Sequence, residues 1–368
     1  MIPIYIPSLT ERSKKYAIEA IESGYVSYLG KYREKAQDLL CELLKIKHAL
    51  VLNSGTAACY LMGKIANKLY PSSSVFAPNN VYVAAWNGFI DHQEKLHIEQ
   101  VDPQTWNRLP TETHIPINSV LLVVHNIGNT VNIRRILRCR PDIHIFEDAC
   151  EALSGSYENT PICSYADCGA LSFFANKTIT SGEGGALVTN NYDIYEYAKL
   201  LHGQGQSKQS YIHSEQGYNY RMTNVQAALL CGQLEDIKII REQKKNVFDH
   251  YKQAFHDHPQ IKLQLQEADT VSENWIFAVR LLGSPSYAAI RDYLNSQNIE
   301  CRPLFYPVSV HKCMTNRYQL VNGEETGVLL SRECVMLPSY PTLERDKQNH
   351  VINAVRELCK QFGDRNGT

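Results

Sequence analysis

The eleven cysteines include no CxxC pair, and their scatter and odd number argue against a disulfide-stapled secreted framework. The nearest approach to a metal motif, Cys163 and Cys168 in "CSYADC", lacks a second pair or a histidine cluster, so structural zinc is not expected. Most cysteines should serve as small buried apolar side chains. Charge of one sign is missing too: 37 basic residues against 38 acidic ones leave a formal net charge of -1. No global field would draw the chain to nucleic acid or an anionic membrane, which leaves a small ligand as the expected partner. There is no long apolar run. The opening "MIPIYIPSL" is short and broken by Pro3 and Pro7, fitting neither a signal segment nor a membrane span, so a cytoplasmic protein is expected. Neither internal repeats nor low-complexity stretches occur, and the metal-like "HDH" at His256–His258 reads as a polar helix end running into Pro259.

What the chain does have is length and an alternating pattern. Its 368 residues suit about two domains at roughly 100–200 residues each. Ser8 and Glu11 have capping-box spacing at the head of a first helix that Gly24 can end, and a second helix should follow Gly30. Short apolar runs then lead into small or acidic residues and helices: "HALVLNSGTAACYLMG", "NSVLLVVHNIGN" and "IHIFEDACEALSG". This predicts an α/β fold with ligands gathered at the carboxyl ends of the strands. A proline-free helical pattern from about Thr223 to Phe255 should bridge to a second, smaller α+β domain. The expected division is residues 1–245 for the large domain and 246–368 for the small one.

Lys177 lies in "SFFANKTITSGEGG", after two phenylalanines and before a run of glycines. A phosphate loop would place its glycines ahead of the lysine, so the nucleotide-triphosphatase reading fails on order. A lysine at the end of an apolar strand suits a Schiff-base role, because loss of water favours the neutral, nucleophilic amine; a side chain that merely snorkels to the surface fits this stretch equally well. Pyridoxal phosphate chemistry needs three further features. Asp148 ends an apolar strand, where its carboxylate could pair with a pyridine nitrogen or simply be a loop acid. Ser54, Gly55 and Thr56 precede a helix, whose free N–H groups and dipole attract a phosphate, though they also read as an ordinary cap. Tyr82 could stack on a flat ring or belong to the core.

The succession "NSGTAA", "VDPQTWN", "VHNIGN", "EDACEALSG", "SFFANKTITSGEGGALVTN" and "GYNYRMTNVQAALLCGQL" resembles the DegT/StrS-type sugar aminotransferases over nearly the whole chain. Within that family it is most like the perosamine synthase group of 4-aminotransferases. The resemblance implies fold-type I architecture, with a large domain whose mostly parallel sheet is flanked by helices plus a smaller C-terminal α+β domain. It implies pyridoxal 5'-phosphate as cofactor, with Lys177 holding it covalently and then shuttling a proton. Asp148 would bind the pyridine nitrogen, Glu151 would lie near the phenolic oxygen, and Ser172 would join Gly55 and Thr56 at the phosphate. Tyr82 matches the stacking aromatic. Asn219 would reach the phosphate of a neighbouring subunit, so a homodimer with shared sites is implied. Substrates would be L-glutamate and a nucleotide-linked 4-keto-6-deoxyhexose, giving a perosamine- or viosamine-type product. A UDP-linked N-acetylated 4-keto sugar or a 3-keto sugar nucleotide is the rival acceptor. A non-catalytic sensor or interaction subunit on this fold would be expected to lose the lysine, the aspartate or the phosphate cradle, and all are present. Two departures stand out: Ala175 replaces a frequent glycine, and "YPSSSVFAP" and "RLPTETHIP" differ from the usual loops.

Overall fold

The structure, a computed structural model, describes residues 1–90, 95–108, 114–209 and 211–365. Its centre is an eight-stranded sheet in the order His48–Leu52, Gly185–Thr189, Cys168–Ser172, His144–Asp148, Val120–Val124, Val75–Pro78, Leu96–Glu99 and Tyr318–Leu320. From the Cys168–Ser172 strand onward every neighbouring pair is parallel. The first three strands of that order pair antiparallel.

Sequence pattern explains the layering. The strand "VLLVV" is buried along its whole length, as a parallel strand covered on both faces must be. Because successive side chains point to opposite faces, Val120, Leu122 and Val124 enter one core with Ala57, Leu61 and Ile65 of the helix Gly55–Leu69. Leu121 and Val123 enter the other, with Ala36 and Leu40 of the helix Lys31–Leu44. Full burial of such a side chain contributes about 1.5–3 kcal/mol, so two opposed cores hold the sheet firmly. The helix Gly55–Leu69 also crosses Ala84–Ile90 closely: a Cβ at Gly63 would come within 1.8 Å of the Gly88 carbonyl oxygen.

A four-stranded antiparallel sheet, Ile261–Leu263, Phe277–Leu281, Cys334–Leu337 and Arg302–Pro303, forms a second body. Its core combines Phe248, Tyr251 and Phe255 with Val351, Val355 and Leu358 of the helix Arg345–Arg365.

Two local expectations change. The first helix, Glu11–Glu22, is capped by Thr10, whose hydroxyl accepts from the Ser13 amide, rather than by Ser8. The carbonyl of Ser8 is taken by Gln233 instead. The expected single helix from Thr223 is two, Asn224–Glu235 and Ile237–Phe255, broken at Asp236. Aspartate is a weak helix-interior residue, and Arg12 draws Asp236 aside through a 3.1 Å contact while also pairing with Glu235 at 2.9 Å. Among the described residues no helix is long and apolar enough to cross a membrane.

Candidate active site

The carboxyl ends of the parallel strands open into a cavity of about 890 Å³, roofed by residues of the small sheet. Ser54, Gly55, Thr56, Tyr82, Asp148, Glu151, Ser172 and Lys177 all line it. Asn219 does not; it is exposed, bridged through its backbone to Gly203.

Lys177 is held by its neighbours rather than by regular structure. The Cys168–Ser172 strand ends and Phe173 turns inward, its amide donating to the Gly184 carbonyl while its own carbonyl accepts from Ser181 and Thr180. Asn176 accepts from the Trp275 indole N–H at 2.8 Å, Thr178 donates to Glu273 at 3.1 Å, and the Tyr5 hydroxyl donates to the carbonyl of Lys177 at 2.7 Å. With both flanking residues tied, the backbone holds Lys177 so that its side chain lines the cavity. Its Nζ lies 3.7 Å from Glu151 Oε1 and 4.0 Å from the centroid of the Trp275 ring. Ala175 does not adopt a positive φ, so its Cβ is accommodated without strain.

The two carboxylates are built differently. Asp148 ends its strand and accepts from the Cys150 amide at 3.0 Å, with Cys59 Sγ 3.8 Å from its other oxygen. Glu151 accepts from the Ile127 amide at 2.8 Å. Burial pushes Glu151 up to about 7; the Lys177 ammonium opposes that rise and the Asp148 charge adds to it. Glu151 can therefore gain or lose a proton near neutrality.

Opposite these acids stands the start of the helix Gly55–Leu69. The Ser54 hydroxyl accepts from the Ala57 amide, and the earlier amides of such a turn have no intrahelical acceptor. Gly55 is dictated by space, since a Cβ there would come within 2.7 Å of Ser172 Cβ and 3.1 Å of Cys150 Sγ. Tyr82 sits at the mouth, exposed, with its ring 5.9 Å from that of Phe305.

An anion-seeking helix end, an acid at a strand terminus and a tethered primary amine thus share one cavity. A volume within the roughly 300–1,000 Å³ typical of small-molecule sites, together with that donor set, fits a phosphorylated pyridine aldehyde. The chain matches the DegT/DnrJ/EryC1/StrS family over residues 7–356. It belongs to that aminotransferase family. This aminotransferase is 28% identical over 363 residues to the GDP-perosamine synthase of Escherichia coli O157:H7, covering 97% of this chain and 98% of the relative. It is 29% identical over 371 residues to the GDP-perosamine synthase of Vibrio cholerae, with 97% and 98% covered. Among solved structures, the Escherichia coli GDP-4-keto-6-deoxy-D-mannose-3-dehydratase with bound hydrated PLP superposes with a TM-score of 0.87 at 19% identity, over 98% of this chain and 99% of that one.

Several cavity residues escaped the sequence reading. Cys59 could have been found, because it lies one helical turn after Gly55 on the same face. Trp275 and Tyr5 carry no local signal, since they meet Lys177 only through the tertiary fold.

Proposed function

We propose that this aminotransferase uses pyridoxal 5'-phosphate to move an amino group from L-glutamate to C4 of a nucleotide-linked 4-keto-6-deoxyhexose, with GDP-linked sugars as first candidates. The observation that carries the reading is the convergence of Lys177, Asp148, Glu151 and a helix N-terminus on one cavity. Its likeness to two GDP-perosamine synthases over nearly the full chain supports the acceptor.

When bound, the cofactor supplies an aldehyde that condenses with amines and a pyridinium ring that takes up the electron pair of a broken C–H bond. Each residue then has a defined task. Ser54, Gly55, Thr56 and Ser172 hold the phosphate by N–H and O–H donors at the positive end of the helix. Asp148, fixed by the Cys150 amide, would pair with the ring nitrogen and favour its protonated form. Lys177 Nζ would anchor the cofactor and, when free, move a proton to and from the substrate carbon. Glu151, 3.7 Å from Lys177 Nζ, would hold a proton at its carboxyl oxygen and offer it to the cofactor's phenolic oxygen. Tyr82 covers the ring face at the mouth. Asn219, lying outside the cavity, serves the phosphate of a second copy, which makes a homodimer the working unit.

An absorbance titration tests this. Pyridoxal phosphate should give a visible band that L-glutamate bleaches and that one member of a panel of GDP-, dTDP- and UDP-linked 4-keto and 3-keto sugars restores. Failure of glutamate to bleach the band would sink the transaminase reading; restoration only by a 3-keto or UDP-linked sugar would replace the acceptor.

A further inference from the structure

Two thiols flank Asp148. Cys59 belongs to the first turns of the helix Gly55–Leu69, while Cys150 follows Asp148 in the loop and donates its amide to that carboxylate. Their sulfurs and an Asp148 oxygen all lie within 4.8 Å of one another. Among the described residues this is the one group of three metal-ligating side chains so arranged. The Cys59 Sγ to Asp148 Oδ2 distance is 3.8 Å. A tetrahedral ion with bonds of about 2.3 Å to sulfur and about 2.0 Å to oxygen has ligand–ligand edges of about 3.5–3.8 Å. The three atoms therefore need to close by no more than about 1.3 Å to share one ion. Thiolate pairs prefer zinc and cadmium to magnesium or calcium. All three residues line the cavity, so an ion can reach them and keep a fourth position open to water.

We propose that the cofactor-free chain binds one thiophilic divalent cation on Cys59, Asp148 and Cys150, and that this cation and the cofactor exclude one another. Binding forms two metal–sulfur bonds and one metal–oxygen bond and releases two thiol protons, with no change of oxidation state. The resulting net charge of -1 is that of two thiolates, one carboxylate and a dication; without the ion, the hydrogen bond from Cys59, burial and the Asp148 charge hold the Cys150 thiol well up, so the cation has to supply the charge that releases the protons. Exclusion follows because the ion takes the carboxylate assigned to the ring nitrogen; that part rests on the function proposed above, whereas the cation site does not.

The probe is cadmium, followed by its ultraviolet sulfur-to-metal charge-transfer absorption in the full chain freed of cofactor. Exposed Cys139 and Cys313 are first replaced by serine. Absorption should saturate at one cadmium per chain with release of two protons, and should be lost on Cys59→Ala or Cys150→Ala. Asp148→Asn, which keeps the side-chain shape, should weaken binding without removing the sulfur signal. Prior loading with pyridoxal phosphate should suppress the signal, and a chelator should restore cofactor uptake. Absence of a one-equivalent signal, or its survival in the Cys59→Ala/Cys150→Ala double variant, overturns the site. Equal signals with and without cofactor overturn the exclusion. A chain that takes cadmium in this way but never binds pyridoxal phosphate would remove the functional reading and leave the cation site standing.

Discussion

Lys177 and Lys244 are both drawn out of solvent, yet one faces the cavity beneath the large sheet and the other lies in the core of the small one. The side chain of Lys177 keeps 14% exposure, with Glu151 at 3.7 Å and an indole face at 4.0 Å. Lys244, on the helix Ile237–Phe255, is completely buried, and its ammonium donates to the main-chain carbonyls of Trp275 and Ser339. Burial lowers Lys244 to about 7, against the pull of Glu273. Trp275 joins the two regions: its ring touches Lys177 and its carbonyl is taken by Lys244. Fixed carbonyl acceptors lock an amine in place. A carboxyl that itself titrates near neutrality, set beyond hydrogen-bond length, leaves an amine able to change partners. Position in a fold therefore separates the lysine proposed to react from the structural one more sharply than burial does.

The sharpest way to break the contrast is to remove each amine. Lys177→Ala should lower turnover by about 10³-fold or more, since both anchoring and proton transfer are lost. Lys244→Met should keep activity within about tenfold, because Lys244 lies outside the cavity and the change removes only its hydrogen bonds to the Trp275 and Ser339 carbonyls. Steady-state rates decide, and a Lys177→Ala enzyme working normally would end the assignment. Asp148→Asn leaves both lysines intact and replaces the carboxylate proposed to pair with the ring nitrogen. It should lower the rate of glutamate-driven bleaching by about 10²–10⁴-fold while the chain still binds the cofactor. Equal losses of binding and rate would count against a specific role in proton transfer.

Lys244 sharpens the comparison through stability. Its folded value of about 7 lies below the usual lysine value of 10.5, so between these limits the unfolded chain binds the extra proton. Unfolding free energy must then rise with pH across that window, by up to about 1.4 kcal/mol per unit from this group. Below pH 7 the full cost of burying the ammonium is present. Denaturant titrations of wild type and Lys244→Met across the window should diverge by that slope, the methionine variant lacking it; parallel curves would show that Lys244 titrates normally. The smallest effect belongs to the shared residue. Trp275→Leu removes an aromatic face worth about 0.5–2 kcal/mol to an ammonium. Glutamate half-reaction rates should fall by roughly 2- to 30-fold, with Trp275→Phe recovering part of the loss.

Much of this was legible locally. Capping at Ser54 and the strand ending at Asp148 follow from side-chain period and helix-end chemistry, which act over a few residues, whereas Glu151 was singled out only by the family resemblance. The break at Asp236 was not legible, and the residue that meets it there, Arg12, comes from the distant first helix. Nor was Trp275, which reads as an ordinary strand-leading aromatic until the small sheet brings it over Lys177.

Sequence alone thus determined the layered α/β core, because apolar alternation and turn chemistry are local properties of the chain, while it singled out the amine, the acids and the helix end as one set only through the family resemblance. Only the tertiary structure decided which lysine faces a cavity, which carboxyl is pushed toward neutrality and which thiols meet Asp148. Those outcomes depend on distances and loss of water between segments far apart in the chain, and no local pattern records them.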